Sequence, residues 1–395
     1  MKSHHKKNWL IQVEKEVYMF LVSFLSFFYV RRKKSGKMIA YLMSFPRNDN
    51  VLLFKMMEEF PENEIIIFFE ARCSDEAQRM SEKGFQIQPL ETSFYFFRIA
   101  LFELCQADIL ICDNYYAFLG AIQLRKSCKV IQLWHANGAI KCFGWEDQQT
   151  KKRSWLDQRR FSKVYQRFDE YIVGSKRMGA VFQRSYHAKP EQIQYLGYPR
   201  TDIFFDKEQM EKRKYKLQEK YPELDGKKII LYAPTYRLKE EQELIDLAKL
   251  AEKFSQEYVL VIKAHPHTVQ KFAGNQEHSF YFSALSAYPI EEILPITDCL
   301  ITDYSSLPFD YSLVHPTGKI IFYWYDFLFQ SSQIGIQADF PEWNPGTIVY
   351  SMEQLVLAID EPHVGNFEKF NLEWNEFNDG HAAARFIRHI KILLA

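Results

Sequence analysis

Cys299-Leu-Ile-Thr-Asp-Tyr-Ser-Ser306 is a short apolar run that stops at Asp303 and is followed by two hydroxyls. An apolar run of this length with polar ends reads as a buried parallel strand. The Ser305-Ser306 pair sits where a following helix begins. A helix start offers unpaired backbone N–H groups and a positive dipole end, and Ser adds hydroxyl donors. The site can cradle a phosphate without a glycine-rich loop. Taken alone it also fits a plain helix cap, because Ser is a common capping residue.

The same grammar recurs along the chain. Lys129-Val-Ile-Gln-Leu-Trp-His135 ends in a histidine and is followed by Ala136, Asn137 and Gly138. Tyr258-Val-Leu-Val-Ile-Lys-Ala-His265 ends in another and is stopped by Pro266. Ile229-Ile-Leu-Tyr-Ala-Pro-Thr-Tyr-Arg237 delivers Thr235 and Arg237. Reactive side chains thus stand at the carboxyl ends of separate apolar strands, where open parallel sheets bind ligands. A single such histidine is more often structural; a set of such strand ends is hard to ascribe to packing.

Around these runs, strand and helix patterns alternate, which predicts right-handed βαβ units and parallel sheets. A first block has strands at 37–45, 64–70, 85–89, 107–113, 129–135 and 169–174, with helices at 50–60, 74–83, 93–105 and 115–125 and Ser175 as a helix cap. A second block has strands at 228–233, 258–264, 298–303 and 319–323. The charged stretch 206–228 separates them, and 374–394 reads as a terminal helix that crosses back to the first block. The expected architecture is α/β, with two doubly wound domains facing a cleft. The expected division is 1–36 as a membrane-associated segment, 37–205 and 206–375 as the two domains, and 376–395 as the returning helix.

Composition narrows the function. The chain has 395 residues, 47% hydrophobic and 25% charged, which suits a packed protein of two domains. A formal net charge of +0 gives no field for nucleic acid. Six cysteines without a Cys-x-x-Cys pair argue for a reducing compartment and against a zinc site. Neither a P-loop nor a Gly-x-Gly-x-x-Gly fingerprint is present. No Asp-x-Asp pair is available to clamp a divalent ion, so no metal or cofactor is expected. A diphosphate would then be neutralised by helix N-termini, Ser, Thr, Lys, Arg or His.

The N-terminus carries a Phe-rich apolar run, Val17 to Val30, followed by Arg31-Arg-Lys-Lys34. Its 14 residues fall short of the roughly 20 that span a bilayer. Flanking positive charge fits a helix lying on an anionic membrane surface. A core helix covered by the fold is the competing reading. On the interfacial reading, deleting residues 1–36 leaves a soluble, folded protein.

Five ordered segments carry a resemblance: Gln132-Leu-Trp-His-Ala-Asn-Gly-Ala-Ile-Lys141, Gly197-Tyr-Pro-Arg-Thr-Asp202, Tyr232-Ala-Pro-Thr-Tyr-Arg237, Lys263-Ala-His-Pro-His267 and Thr302-Asp-Tyr-Ser-Ser306. They resemble the motif set of the CDP-glycerol glycerophosphotransferases, the teichoic acid primases and polymerases. The resemblance implies a GT-B fold and transfer of glycerol phosphate from CDP-glycerol to an undecaprenyl-diphosphate-linked acceptor, releasing CMP at the cytoplasmic face of the membrane. The length looks more like a primase. Implied roles are His135 as general base and His265 as a contact to the leaving phosphate. Ser305, Ser306, Arg237, Thr235, Asp303, Asn137, Gly138 and Lys141 are implied around the substrates, with Asp303 orienting its loop and Arg200 a weaker cationic candidate. His267 reads as a surface or capping residue. One departure is Trp134-His-Ala-Asn137 where many members have Trp-His-Gly-Thr. The alternatives are a CDP-ribitol-dependent or chain-extending transferase, a sugar-nucleotide glycosyltransferase of the same fold, and an inactive membrane-associated scaffold.

Overall fold

A computed structural model describes residues 2–32, 36–235, 245–264, 280–362 and 365–395. It resolves into two compact units. The first comprises Met1–Ala136, Gly144–Arg200 and His381–Ala395, and the second Asn137–Phe143 and Thr201–Gly380.

The first unit is built on a seven-stranded parallel sheet in the order β3-β2-β1-β4-β5-β6-β7. Its strands are β1 (Met38–Met43), β2 (Glu64–Phe69), β3 (Gln86–Pro89), β4 (Ile109–Cys112), β5 (Lys129–Gln132), β6 (Glu170–Ile172) and β7 (Ile193–Gln194). The second unit has a five-stranded parallel sheet in the order β12-β11-β10-β8-β9. Its strands are β8 (Lys228–Ala233), β9 (Tyr258–Ile262), β10 (Cys299–Thr302), β11 (Lys319–Tyr323) and β12 (Thr347–Val349). Strand order reverses between β1 and β4 in one sheet and between β8 and β10 in the other. The central strands are buried along their length, as sheets covered on both faces require.

The core of the first unit packs Ile39, Tyr41, Ile67, Ile109, Ile111 and Ile131 against Phe386, Ile387 and Ile390 of the C-terminal helix. That of the second packs Ile230, Tyr232, Leu260, Ile301 and Ile321 under Leu250 and Leu355.

Three segments depart from expectation. Residues 115–125 hold only a 3-10 turn, Ala117–Gly120. The turn is wedged between the N-terminal helix and the Trp155–Tyr165 helix. A Cβ on Gly120 would stand 3.2 Å from Lys163 and Val164 and 3.3 Å from Met19, so the close approach leaves no room for a regular helix there. Residues 93–105 are helical but carry a π turn, Phe96–Ala100. The helix expected over 374–394 starts only at Ala382 and runs to Leu394, and a separate helix, Glu368–Trp374, precedes it. Between them Gly380 takes φ +85°, which favours glycine, and Asn375 and Asn378 bind side chains instead of continuing the helix.

The N-terminal segment is one helix, Lys2–Tyr29, with two opposed faces. Met19, Val22 and Ser26 are enclosed against the first unit. The Tyr29 hydroxyl donates to Phe97 O at 3.0 Å, and Gln12 and Lys15 donate to Asp157 at 2.9 and 2.8 Å. Leu10, Val17, Phe20, Phe24 and Phe28 stay exposed. Deleting residues 1–36 would uncover core, which runs against a soluble truncated protein. No helix among the described residues is long and apolar enough to cross a membrane.

Asp157 anchors this docking. Burial alone would raise its carboxyl, but bonds from Lys15, Arg160, Ser154 and Gln12 outweigh that and hold it well below the usual carboxylate range. Arg160 extends the network to Glu16. Asp157→Ala should loosen the N-terminal helix by about 2 kcal/mol, allowing for the water around Lys15. Limited proteolysis should then cut within residues 9–29 well before the sheets. Cleavage no faster than in the parent protein would show that the apolar contacts suffice.

Candidate functional site

Three neighbouring strands of the first unit end at His135. The chain leaves β1 through Ser44 and Phe45, β4 through Asp113 and β5 through Leu133 and Trp134. This is the point where strand order reverses, the crevice in which open α/β sheets bind ligands.

The Asp113 carboxylate accepts four bonds: from Ser44 N at 2.7 Å, Ser44 Oγ at 2.8 Å, Phe45 N at 2.8 Å and Tyr116 Oη at 2.7 Å. It thereby fixes the turn after β1. Phe45 then lies flat against the imidazole of His135, with centroids 3.8 Å apart and planes within 15°. The main chain of the same residue does a second job. Asp113 O is 2.9 Å from His135 Nδ1. A carbonyl can only accept, so Nδ1 carries the hydrogen, and in the neutral ring Nε2 holds the lone pair. Trp134, just before it, has φ +65°, a left-handed conformation that bulky residues rarely adopt. Gln132 Oε1 accepts from Trp134 N at 3.0 Å and holds the turn.

The second unit repeats the device at its own reversal. Asp303 follows β10, and both its oxygens accept from Thr235 N, after β8, at 3.0 Å. Asp303 also accepts from Tyr304 N at 2.5 Å, and its carbonyl accepts from Trp324 Nε1 at 2.9 Å. The Thr302 hydroxyl donates to Ala233 O at 2.7 Å. Ser305 Oγ accepts from Leu307 N at 3.1 Å and caps the Leu307–Val314 helix. Ser306 occupies the cap position without a side-chain capping bond, and both serines are half-exposed at the helix start.

Several expected substrate contacts have other work. Asp303 is 2% exposed, and its carboxylate is engaged by backbone N–H groups, so it shapes the loop and does not face a ligand. Asn137 is fully enclosed: its Nδ2 donates to Asn375 Oδ1 and its Oδ1 accepts from Asn378 Nδ2, each at 2.7 Å. Gly138 is needed for close packing, since a Cβ there would lie 2.4 Å from the Phe309 ring. Lys141 pairs with Ile336 in an antiparallel bridge. The stretch just after His135 thus ties into the second unit's own core. Thr235 is half-buried at its strand end. Arg237, His265 and His267 lie outside the described residues. Among the described residues no cluster of His, Cys, Asp or Glu could hold a metal ion.

Sequence reasoning missed Phe45, Asp113 and the strained Trp134. The signal was present. Asp108-Ile-Leu-Ile-Cys-Asp113 and Asp298-Cys-Leu-Ile-Thr-Asp303 share one pattern. The first aspartate of each accepts an N–H near the start of the neighbouring strand, Met38 N at 2.8 Å and Ile229 N at 2.7 Å.

Comparisons with known proteins give the family and the fold. The family model described as CDP-Glycerol:Poly(glycerophosphate) glycerophosphotransferase matches residues 25–391. The chain belongs to this family. The teichoic acid glycerol-phosphate primase of Bacillus subtilis (strain 168) is 29% identical over 96% of this chain and 97% of its own. That of Staphylococcus aureus (strain NCTC 8325 / PS 47) is 28% identical over 86% and 87%. The solved wall teichoic acid polymerase TagF shares the fold with a TM-score of 0.74 at 19% identity, covering 100% of this chain and 98% of that one. The architecture is therefore GT-B-like, as the sequence implied.

Burial raises the Asp113 carboxyl to about 6, against the opposing bonds from Tyr116, Ser44 and Phe45. The native state therefore holds this proton more tightly than the unfolded chain, whose value is near 3.9. The stabilisation is complete below about pH 4 and is lost as pH rises through about 6. Relative to Asp113→Asn, the parent protein should lose roughly 3 kcal/mol of unfolding free energy between those limits, read by denaturant melts. A flat difference across that range would contradict a buried ionising carboxyl.

Proposed function

We propose that this chain transfers glycerol phosphate from CDP-glycerol to a hydroxyl of a lipid-linked acceptor and releases CMP, in the manner of a teichoic acid primase. The observation that carries the chemistry is the carbonyl-fixed tautomer of His135, which leaves Nε2 to take a proton. The acceptor oxygen attacks the phosphorus that bears the glycerol. Its proton passes to Nε2, and the bond to the bridging oxygen breaks, with the electron pair leaving on CMP. Positioning and charge neutralisation supply most of the acceleration in such a transfer. The start of the Leu307–Val314 helix, with Ser305 and Ser306, supplies donors for the diphosphate. His265 and Arg237 join this reading on the motif resemblance alone, and the second unit is read as the donor side.

The primase reading rests on the relatives: glycerol-phosphate primases of Bacillus subtilis and Staphylococcus aureus match 96% and 86% of this chain. Chain extension is the second reading, because TagF, a polymerase, shares the fold over the whole chain.

His135→Ala should lower CMP release from CDP-glycerol by about 10²–10⁴-fold while the fold is kept. Near-normal turnover by that variant would remove the general-base role.

The exposed stripe of the N-terminal helix supports a further part of the proposal, that the protein works at an anionic membrane surface. Phe20, Phe24 and Phe28 lie along one face, and Arg31 and Arg32 follow. Residues of this kind insert at the interface, and each nearby Lys or Arg adds about 1 kcal/mol on an anionic leaflet. Replacing Phe20, Phe24 and Phe28 with Ser leaves the docked face untouched. It should cut co-sedimentation with phosphatidylglycerol vesicles severalfold. Sedimentation equal to the parent protein would place the contact elsewhere.

A further inference from the structure

Asn137, Asn375 and Asn378 form a closed ring of buried amides in the second unit. Asn137 Nδ2 donates to Asn375 Oδ1, and Asn378 Nδ2 donates both to that oxygen and to Asn137 Oδ1, each at 2.7 Å. Asn375 Nδ2 in turn donates to Phe309 O at 3.1 Å and to Asn371 Oδ1 at 2.8 Å. Asn371 completes the seat: its Oδ1 accepts from Ser312 Oγ at 2.6 Å, and its Nδ2 donates to Ser312 O at 3.0 Å. Phe309 and Ser312 belong to the Leu307–Val314 helix. Gly138 lies against the same helix, since a Cβ there would meet the Phe309 ring at 2.4 Å.

Such a cluster does more than fill space. Buried amides cost free energy wherever a donor or acceptor is left over, and apolar side chains would pack the same volume without that risk. A polar network that closes on itself specifies one geometry. Here the geometry relates two places that the chemistry needs. One is the Leu307–Val314 helix, which opens after Ser305 and Ser306, the donors proposed for the diphosphate. The other is Asn137, two positions after His135. Consecutive Cα atoms stand about 3.8 Å apart, so two steps of chain leave the base at most about 8 Å from the anchored residue. The clamp at Asp113 sets the direction of the imidazole, but it holds Ser44, Phe45 and Tyr116 and not the chain that follows His135. Both side-chain bonds of Asn137 go instead to Asn375 and Asn378.

We propose that Asn137 is a positioning residue for the transfer, acting through Asn375 and Asn378. The ring of amides fastens the chain just after the base to the helix that receives the diphosphate. The proton acceptor and the donors at the phosphate are then joined through two residues and the first turns of one helix. The inference rests on the transferase reading for the reaction, and on the hydrogen bonds alone for the tie.

Asn137→Ala cuts the tie and leaves the helix seated, because Asn378 keeps its bond to Asn375, and Asn375 its bonds to Phe309 and Asn371. Denaturant melts check the folding of the full-length variant, and rates are compared per folded molecule. The kcat for CMP release should fall about tenfold to a hundredfold, as when a base is misplaced by about an ångström, with the KM for CDP-glycerol within about twofold of the parent protein. The ¹⁵N resonances of the His135 ring should move or broaden in the same variant, which a merely structural role would not cause. Should Asn137→Ala fail to fold, Asn378→Ser reads the same tie; where both fold, the double variant should lose no more than the single ones. Turnover of the folded variant within about twofold of the parent protein, or a loss with unmoved His135 resonances, overturns the proposal. If the parent protein turns over no CDP-glycerol, the transferase reading fails and the resonances alone decide the tie: movement upholds it, and none overturns it.

Discussion

An aspartate at the end of a central strand, clamping the turn that leaves its neighbour, is the constraint on which both units depend. Asp113 does this for Ser44 and Phe45, and Asp303 for Thr235. At a reversal of strand order the two adjacent loops diverge to opposite faces of the sheet, and their backbone N–H groups lose ladder partners. A buried carboxylate satisfies several of them at once. The loops then have one shape, and the residues they carry have one direction. In the first unit that direction is given to His135, through a ring stacked on one side and a carbonyl bonded to Nδ1.

The arrangement carries an electrostatic cost that is accepted because it orders the site. Burial raises Asp113 in spite of four hydrogen bonds. A neutral residue would suit the core better, but only an ionised carboxylate accepts this many donors with short bonds. The strained Trp134 is held in the same way, by Gln132 below and by rings around it. Rigidity at this turn suits the role proposed for His135, because a base must be placed to within a fraction of an ångström to act.

Much of this was legible in the sequence. Buried parallel strands show as unbroken apolar runs, so the strand ends at His135, Thr235 and Ser305 could be read directly. The Asp108–Asp113 and Asp298–Asp303 pattern was equally visible, yet a strand-ending aspartate looks like any loop residue until its partners are seen. The motif resemblance implies Asn137 and Gly138 around the substrates. Sequence adjacency does not reveal that the chain passes from one unit to the other at that point, and their side-chain environment belongs to Asn375, Asn378 and Phe309. The N-terminal helix was read as one apolar run. Its docked face is set by Asp157 and Arg160, some 140 residues later, which no local window can sense.

The central proposal is that His135 acts as the base through Nε2, with the Asp113 carbonyl holding the hydrogen on Nδ1. Long-range ¹H–¹⁵N correlation spectra of protein labelled at histidine nitrogens report the tautomer directly, with His135→Gln identifying the signal. The neutral ring should show a protonated Nδ1 and an unprotonated Nε2. A hydrogen on Nε2 in the neutral ring would contradict the account at its base.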